Sequence, residues 1–526
     1  MRFLSLLMAV ALLLGGCFFP GSSFGSESVV PYSEMQYTRP DLEAIENKLT
    51  EVCTFAETCA DASALMNAIY GFYDVYDSYL TDWYLADLHY SADLSDSYWE
   101  EEYTFCTENA HQLDAALEQL YMTLAHCPLR ETLEAEYFGE GYFDTYEGEA
   151  LLDETYLAFL EEEARLENEY YALSDEAAAL GLGSDAYYDG CTEPMAQLLA
   201  ELVSVRQEMA AYLGYDSYAD FAYYGSYYRS YTPEDALSYL ISLRDALLET
   251  YVRLEDSELW EYAGTYSDSQ ETFSYLKEAA TGMGGTVKYA FDMLEAAQLY
   301  DIGYGENKYD SSFALYLWRY EEPFIFMNPW LDQTDKLTLA HEFGHFASDY
   351  VCYGSYAGTD VAEVHSQAME YLSLCYTQNT ESLARYKLAD SLCTFLECGA
   401  YALFEHRLYE LSPEALTAEN IMALYETTCA DFGFESWDWD SRDFISVVHF
   451  FTEPMYMISY LVSNDLAIQF YQMEQTSPGT GLALYEQILQ SEDSDIIVFA
   501  EAYGLESPFA ENRPEALAGT FSETLD

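Results

Sequence analysis

Positive charge is what this 526-residue chain lacks: 19 Lys and Arg stand against 94 Asp and Glu, a formal net charge of −75. That balance excludes a nucleic-acid partner, because phosphate binding needs a basic surface. It equally excludes a basic patch for anionic lipid head groups. Neutral or cationic molecules are favoured at long range, although most of the charge is read as serving solubility through self-repulsion. Past residue 14 no apolar run approaches a membrane span. No Cys-x-x-Cys pair occurs, so the cysteines do not outline a structural zinc site. Histidine is scarce, with eight residues, which gives weight to any patterned pair. Apolar residues, by contrast, make up 50% of the chain and Tyr alone numbers 52. An acidic chain this aromatic folds rather than remaining disordered.

The N-terminus reads as an address. Met1-Arg2-Phe3 and an apolar run to Leu14 have the layout of a secretory signal and are too short for a comfortable transmembrane span. The run ends Leu14-Gly15-Gly16-Cys17 and resembles a bacterial lipobox, in which the cysteine becomes the lipidated N-terminus. The expectation is a signal peptide over 1–16 and an anchor at Cys17 on the outer face of the cytoplasmic membrane, with a secreted form as the alternative. The membrane would be touched only through that anchor. Residues 17–38, rich in Gly, Ser and Pro, read as a tether. Ten cysteines remain, and disulfides are permitted outside the cell. Cys53 with Cys59 and Cys106 with Cys127 are local candidates.

From Asp41 the pattern turns helical, with Leu42, Ile45, Leu49 and Val52 at i, i+3, i+4 spacing. Similar stripes continue to about residue 200 and read as long antiparallel helices packed through aromatic residues. Gly214 stops a helix and Asp216 or Ser217 starts the next; Thr232-Pro233-Glu234-Asp235 reads as an N-cap with Pro at the first helical position. Residues 313–318 and 323–328 change to short strands around a turn. A strand there can offer a free edge to an extended peptide.

The patterned histidines lie in Thr338-Leu339-Ala340-His341-Glu342-Phe343-Gly344-His345. Two histidines four apart fall on one helix face, so both rings reach one metal ion. The intervening Glu342 can deprotonate a water held there. This is the spacing of a zinc metalloprotease site, and a chance match is expected in only about one such chain in a hundred. Downstream, Thr359 or Asp360 can cap a helix with Glu363 in its first turn. Glu363 and Glu370, seven apart, share a face. Glu363 is assigned as the third ligand and Glu370 as the carboxylate orienting a ligand histidine. His365 is a rival ligand, or lines the cleft.

These segments, with the Arg206-to-Phe221 stretch and its Leu-Gly-Tyr-Asp-Ser-Tyr-Ala core, the strand ending Met327-Asn328 and the C-terminal His/Tyr-rich segment, resemble the M3 metallopeptidases, a family that includes oligoendopeptidase F. The resemblance covers about 200–510 and extends to 41–200 by helical character. It implies a mainly α, two-lobed molecule with a deep central channel and a small β-sheet beside the His-Glu-x-x-His helix. The implied boundaries are an N-terminal helical region over 39–200, a catalytic domain over 201–510 and a tail over 511–526. One Zn2+ per chain is implied on His341, His345 and Glu363, with Glu342 as general base. Near the C-terminus the family uses a histidine and tyrosines on the oxyanion. Tyr460 matches best, His449 matches with an offset, and Tyr456 is the third candidate. Two departures stand out. The interval from His345 to Glu363 is short, and Asp310-Ser311-Ser312-Phe313 replaces a Gly-rich turn. The expected function is hydrolysis of short peptides by a monomer, and the alternative is a lipoprotein that binds peptides without cleaving them.

Overall fold

Acidic side chains, so plentiful here, start many of the helices. Asp41 Oδ1 accepts the Ala44 N–H at 3.2 Å, Asp61 Oδ1 that of Ala64 at 3.1 Å, and Asp96 Oδ1 that of Tyr98 at 3.0 Å. Each satisfies an N–H that the helix leaves unpaired and sets negative charge at the positive end of its dipole. Thr232 and Asp235 form a reciprocal capping box around Pro233, as that sequence anticipates.

The structure is a computed structural model describing residues 29–525, apart from 140, 144–145, 147–153, 179, 181–182, 255–257, 355–357, 438 and 492. The expected signal peptide, Cys17 and the first part of the tether lie outside the described residues. Two hydrophobic cores divide the chain. The first is built by α1 (Leu42–Ala56), α2 (Ala62–Ala92), α3 (Ser97–Glu108) and α4 (Ala110–Ala125), through residues such as Val52, Phe72, Trp83 and Leu120. The second begins with α5 (Glu154–Ala178) and α6 (Asp185–Tyr212), which pack on each other, and continues through α7 (Pro233–Arg253) to the C-terminus. Tyr84, Leu85 and Leu88 of α2 belong to this second core, so one helix joins both.

Three sequence-based boundaries shift. The division expected at 200/201 falls inside α6, which runs through it unbroken; the cores instead separate after Phe143. The tether does not extend to 38. Tyr32 packs on Phe324 with ring centroids 4.4 Å apart, and the Thr38 N–H donates to Asp82 at 3.0 Å. The apolar and aromatic residues Val29, Tyr32, Met35 and Tyr37, set among polar ones, are what dock it. The expected tail forms α13, taken up below. The two disulfides expected from the sequence, Cys53 with Cys59 and Cys106 with Cys127, do not form. Of the proposed partners, Cys59 donates to the Asp61 carbonyl, and Cys53 accepts from Thr123 Oγ1.

The sheet has the order β1-β3-β2, with β1 at Tyr300–Asp301, β2 at Ser312–Leu317 and β3 at Glu322–Met327. β2 and β3 are antiparallel, in register from Ser312↔Met327 to Leu317↔Glu322, joined by a turn in which Glu321 takes the left-handed conformation (φ 53°). β1, two residues long and without periodicity to betray it, pairs parallel with β3. β3 is therefore central and wholly buried, and of the two hairpin strands only β2 lies at an edge of the sheet.

Beyond the sheet run α8 (Asp335–Cys352), α9 (Thr359–Cys375), α10 (Glu381–Tyr409), α11 (Val448–Thr452), α12 (Ile458–Thr476) and α13 (Arg513–Leu525). α9 packs most extensively, between α8 and α12. In α13 Leu517 and Phe521 are fully buried, each contributing ~1.5–3 kcal/mol of burial, and Arg513 pairs with buried Asp465. Five basic side chains, Arg206, Arg229, Lys308, Lys387 and Arg513, are buried.

Candidate active site

The start of α8 is fixed by Asp335, whose carboxylate accepts the N–H groups of Trp330 and Leu331 at 2.9 Å each. Two turns on, His341 and His345 share a face, with ring centroids 5.0 Å apart. Gly344 between them lets α9 approach. A Cβ there would lie 2.5 Å from Ser366 Cα and 2.6 Å from the His365 carbonyl, so any side chain would drive the helices apart. That close approach brings Glu363 onto the histidines: its Oε2 lies 3.4 Å from His341 Nε2 and 3.8 Å from His345 Nε2. All three ligand atoms lie within 4.8 Å of one another. Tetrahedral ligands about 2.1 Å from one ion are separated by about 3.4 Å. Two imidazoles and a carboxylate at this spacing fit a divalent metal ion and leave a fourth position open.

The carboxylates around the cluster are held in place from outside. Ser366 donates to Glu363 Oε2 and the Tyr456 hydroxyl to Oε1, both at 2.9 Å. Glu370 Oε1 lies 2.9 Å from His341 Nδ1, and its Oε2 lies 2.7 Å from the buried Lys387 ammonium. Burial alone would raise Glu370, but Lys387 and His341 hold it below the usual carboxylate range. Glu363 is held low against burial by His341 and His345. An ionised Glu370 accepts a hydrogen bond from the His341 Nδ1–H and so leaves Nε2 as the nitrogen that would meet a metal ion. Burial opposes charge on His341, yet Glu370, Glu363 and Glu342 push it up to about 9. The same preference for positive charge would be met by a metal cation. His345, lowered to about 4 by burial, is neutral.

Glu342 is buried beside Ser312 of β2, and burial pushes its carboxyl up to about 7. A base poised near neutrality suits proton transfer at ordinary pH.

Across from the cluster stand His449 of α11 and the pair Tyr456 and Tyr460 around the start of α12. Tyr460 OH lies 3.4 Å from His449 Nε2, and the three rings have centroids 5.1–5.9 Å apart. Burial, with Glu363 nearby, raises both phenols well above their usual range, so both remain donors. Arg206, fully buried, anchors this segment: its guanidinium donates to the Phe451 carbonyl at 2.7 Å and pairs with Glu163 and Glu167 at 2.5 and 2.9 Å. The sequence-expected residues His341, Glu342, His345, Glu363, Glu370, His449, Tyr456 and Tyr460 are thus brought together.

Two expectations fail. His365 is neither ligand nor cleft residue, because its Nδ1 faces Ser348 Oγ at 3.0 Å and its Nε2 the Ile488 carbonyl at 3.1 Å. Neither Thr359 nor Asp360 caps α9. The helix begins at Thr359 after Gly358, so Glu363 sits in its second turn, and Asp360 instead bonds Tyr231 and Ser459. Sequence reasoning missed Lys387, Ser366, Ser312 and Glu453, whose Oε2 is 3.4 Å from His449 Nε2. Ser366 carried a signal, three residues after Glu363 on the same helix; Lys387, on α10, carried none.

Residues 32–152 match the family model of the peptidase M3 N-terminal domain. Among solved structures the chain is similar to PZ peptidase A with inhibitor 2, at 19% identity over 94% of this chain and 98% of that one, TM-score 0.81. It is similar to a structure assigned to oligoendopeptidase F from Bacillus anthracis, at 20% identity over 95% and 98% of the two chains, TM-score 0.78. A third likeness is to oligoendopeptidase F from Enterococcus faecium, at 15% identity over 92% and 96%, TM-score 0.54. No curated protein matches. The fold is the mainly helical one anticipated, with a small sheet beside the His-Glu-x-x-His helix.

Proposed function

We propose that the chain is a zinc-dependent oligopeptidase that hydrolyses short peptides, working outside the cytoplasm from a lipid anchor at Cys17. The observation that carries this reading is the convergence of three groups: a His341–His345–Glu363 ligand triangle, a buried carboxylate at Glu342, and phenol donors at Tyr456 and Tyr460. The M3 N-terminal match and the fold shared with oligopeptidase structures support it.

His341, His345 and Glu363 would hold the ion, which when bound supplies a Lewis acid and a water of lowered pKa. Glu342 accepts a proton from the attacking water as the water oxygen bonds to the scissile carbonyl carbon, and passes it to the amine nitrogen as the C–N bond breaks. Tyr460, beside His449, aims a hydroxyl donor at the developing oxyanion, and Tyr456 stands next to it. β2 offers its open edge to an extended peptide, with Ser312 at the Glu342 end.

The test is incubation of the zinc-loaded protein with a mixed peptide library, reading products by mass spectrometry, with and without a chelator. Metal-dependent cleavage is expected. Saturating zinc with bound but uncut peptides would favour a peptide-binding lipoprotein instead.

A further inference from the structure

The loop joining α11 to α12, which presents Tyr456, contains the non-glycine residue Met455 in the left-handed region (φ 66°). A side chain is disfavoured there, so the conformation persists only where the surroundings impose it. Both peptide groups of Met455 are gripped by buried polar side chains, the Glu405 carboxyl and the Arg229 guanidinium. Its N–H donates to Glu405 Oε1 at 2.9 Å, and its carbonyl accepts from Arg229 Nη1 at 2.9 Å. The preceding Pro454 carbonyl accepts from the Tyr227 hydroxyl at 3.1 Å. Arg229 also donates to Ser459 Oγ at 2.8 Å and lies 3.4 Å from Asp360 Oδ1. Ser459 and Tyr231 both donate to Asp360. Asp360 stands one turn before Glu363 on α9, so the network runs from the loop to the helix that carries the carboxylate ligand.

We propose that Arg229 and Glu405 are positioning residues: they hold Met455 in its left-handed turn and so fix the Tyr456 hydroxyl on Glu363 and beside the reacting carbonyl. This inference rests on the peptidase reading. Neither residue touches the ligand cluster; both grip the backbone of residue 455, and Arg229 also reaches Asp360 on α9. Glu405 is on α10 and Arg229 lies just before α7, so two elements outside the His-Glu-x-x-His helix set the geometry of the donor. No local sequence pattern announces this, because the contacts span 50 and 226 residues.

The experiment is a double-mutant cycle on the zinc-loaded enzyme. Glu405→Leu removes the acceptor for Met455 and is expected to lower kcat at least tenfold with KM within twofold of wild type. Glu405→Gln keeps a carbonyl acceptor and is expected to restore kcat to within threefold. Combined with Tyr456→Phe, Glu405→Leu should add nothing further to the loss in kcat or in metal affinity, since both act through one hydroxyl. Tyr227→Phe, which removes one hydroxyl and no buried charge, serves if Glu405→Leu does not fold, and should lower kcat severalfold. Multiplying effects in the cycle, or wild-type kcat in Tyr227→Phe and Glu405→Leu, would overturn the proposal while leaving the peptidase reading intact. Absence of any cleavage by the wild-type enzyme would overturn both.

Discussion

The Lys387 ammonium lies 2.7 Å from Glu370, whose other oxygen lies 2.9 Å from His341 Nδ1. Lysine, carboxylate and imidazole form a relay in which the buried cation keeps the carboxylate ionised and the carboxylate keeps the histidine in the tautomer that can bind metal. Lys387→Met should therefore weaken zinc binding, although Lys387 never meets the ion. Groups that orient a ligand histidine are worth ~10–100-fold in affinity. Competition with a coloured chelator checks this, and wild-type affinity in Lys387→Met would show that the relay does not tune the ligand.

Glu342→Gln separates holding the metal from using it. Glu342 lies outside the ligand triangle, so the variant should retain about one zinc per chain by elemental analysis. Loss of the base should reduce kcat by ~10²–10⁴-fold. Turnover near wild type would remove Glu342 from the reaction.

Acid should switch the activity off through the same residue. Burial raises Glu342 to about 7, and it accepts a proton only when ionised, so kcat/KM falls as pH drops through its pKa. A divalent cation at the neighbouring cluster favours the ionised form, which sets this limb at or below about pH 7. A pH profile of kcat/KM for wild type measures it; a limb above neutrality would assign it to another group.

The two tyrosines should fail differently. Tyr456 donates to a ligand oxygen and Tyr460 pairs with His449. Tyr456→Phe is expected to reduce both zinc affinity and kcat, and Tyr460→Phe to reduce kcat alone, by ~10²-fold for a lost oxyanion donor. Parallel zinc titrations and steady-state kinetics distinguish them. Equal zinc affinity in the two variants would contradict the assignment.

Gly344→Ala places a methyl group against the backbone of α9. Overpacking between backbones costs ~1–3 kcal/mol or more, so the variant should melt at lower temperature and bind zinc more weakly as Glu363 is pushed from the histidines. Differential scanning calorimetry with zinc titration follows both; an unchanged melting temperature would mean the helices have room to part.

The parts of the site that lie on one helix were legible in the sequence. His341, Glu342 and His345 follow from spacing, and Glu363 and Glu370 from their shared phase. The two longer strands announced themselves by composition. What stayed hidden depends on contacts between distant segments. β1 has two residues, too few for any period, and without it the central position of β3 and the edge position of β2 could not be assigned. Lys387 sits in a helix whose sequence gives no hint that one ammonium turns inward. His365 resembled a ligand because sequence does not show that Ser348 and Ile488 already engage both of its nitrogens.

With Arg206, Arg229, Lys308, Lys387 and Arg513 buried, five of the chain's 19 basic residues are withdrawn from the exterior. The exterior behaves as a polyelectrolyte. Folding works against repulsion among its own carboxylates, and added salt, by shortening the reach of that repulsion to about 8 Å at physiological strength, strengthens the native state. The same field sorts what arrives: a peptide bearing lysine or arginine gains encounter rate at low ionic strength, and an acidic peptide loses it. Ionic strength thus acts on the molecule twice, in opposite senses, steadying the fold as it blunts the attraction of cationic substrates.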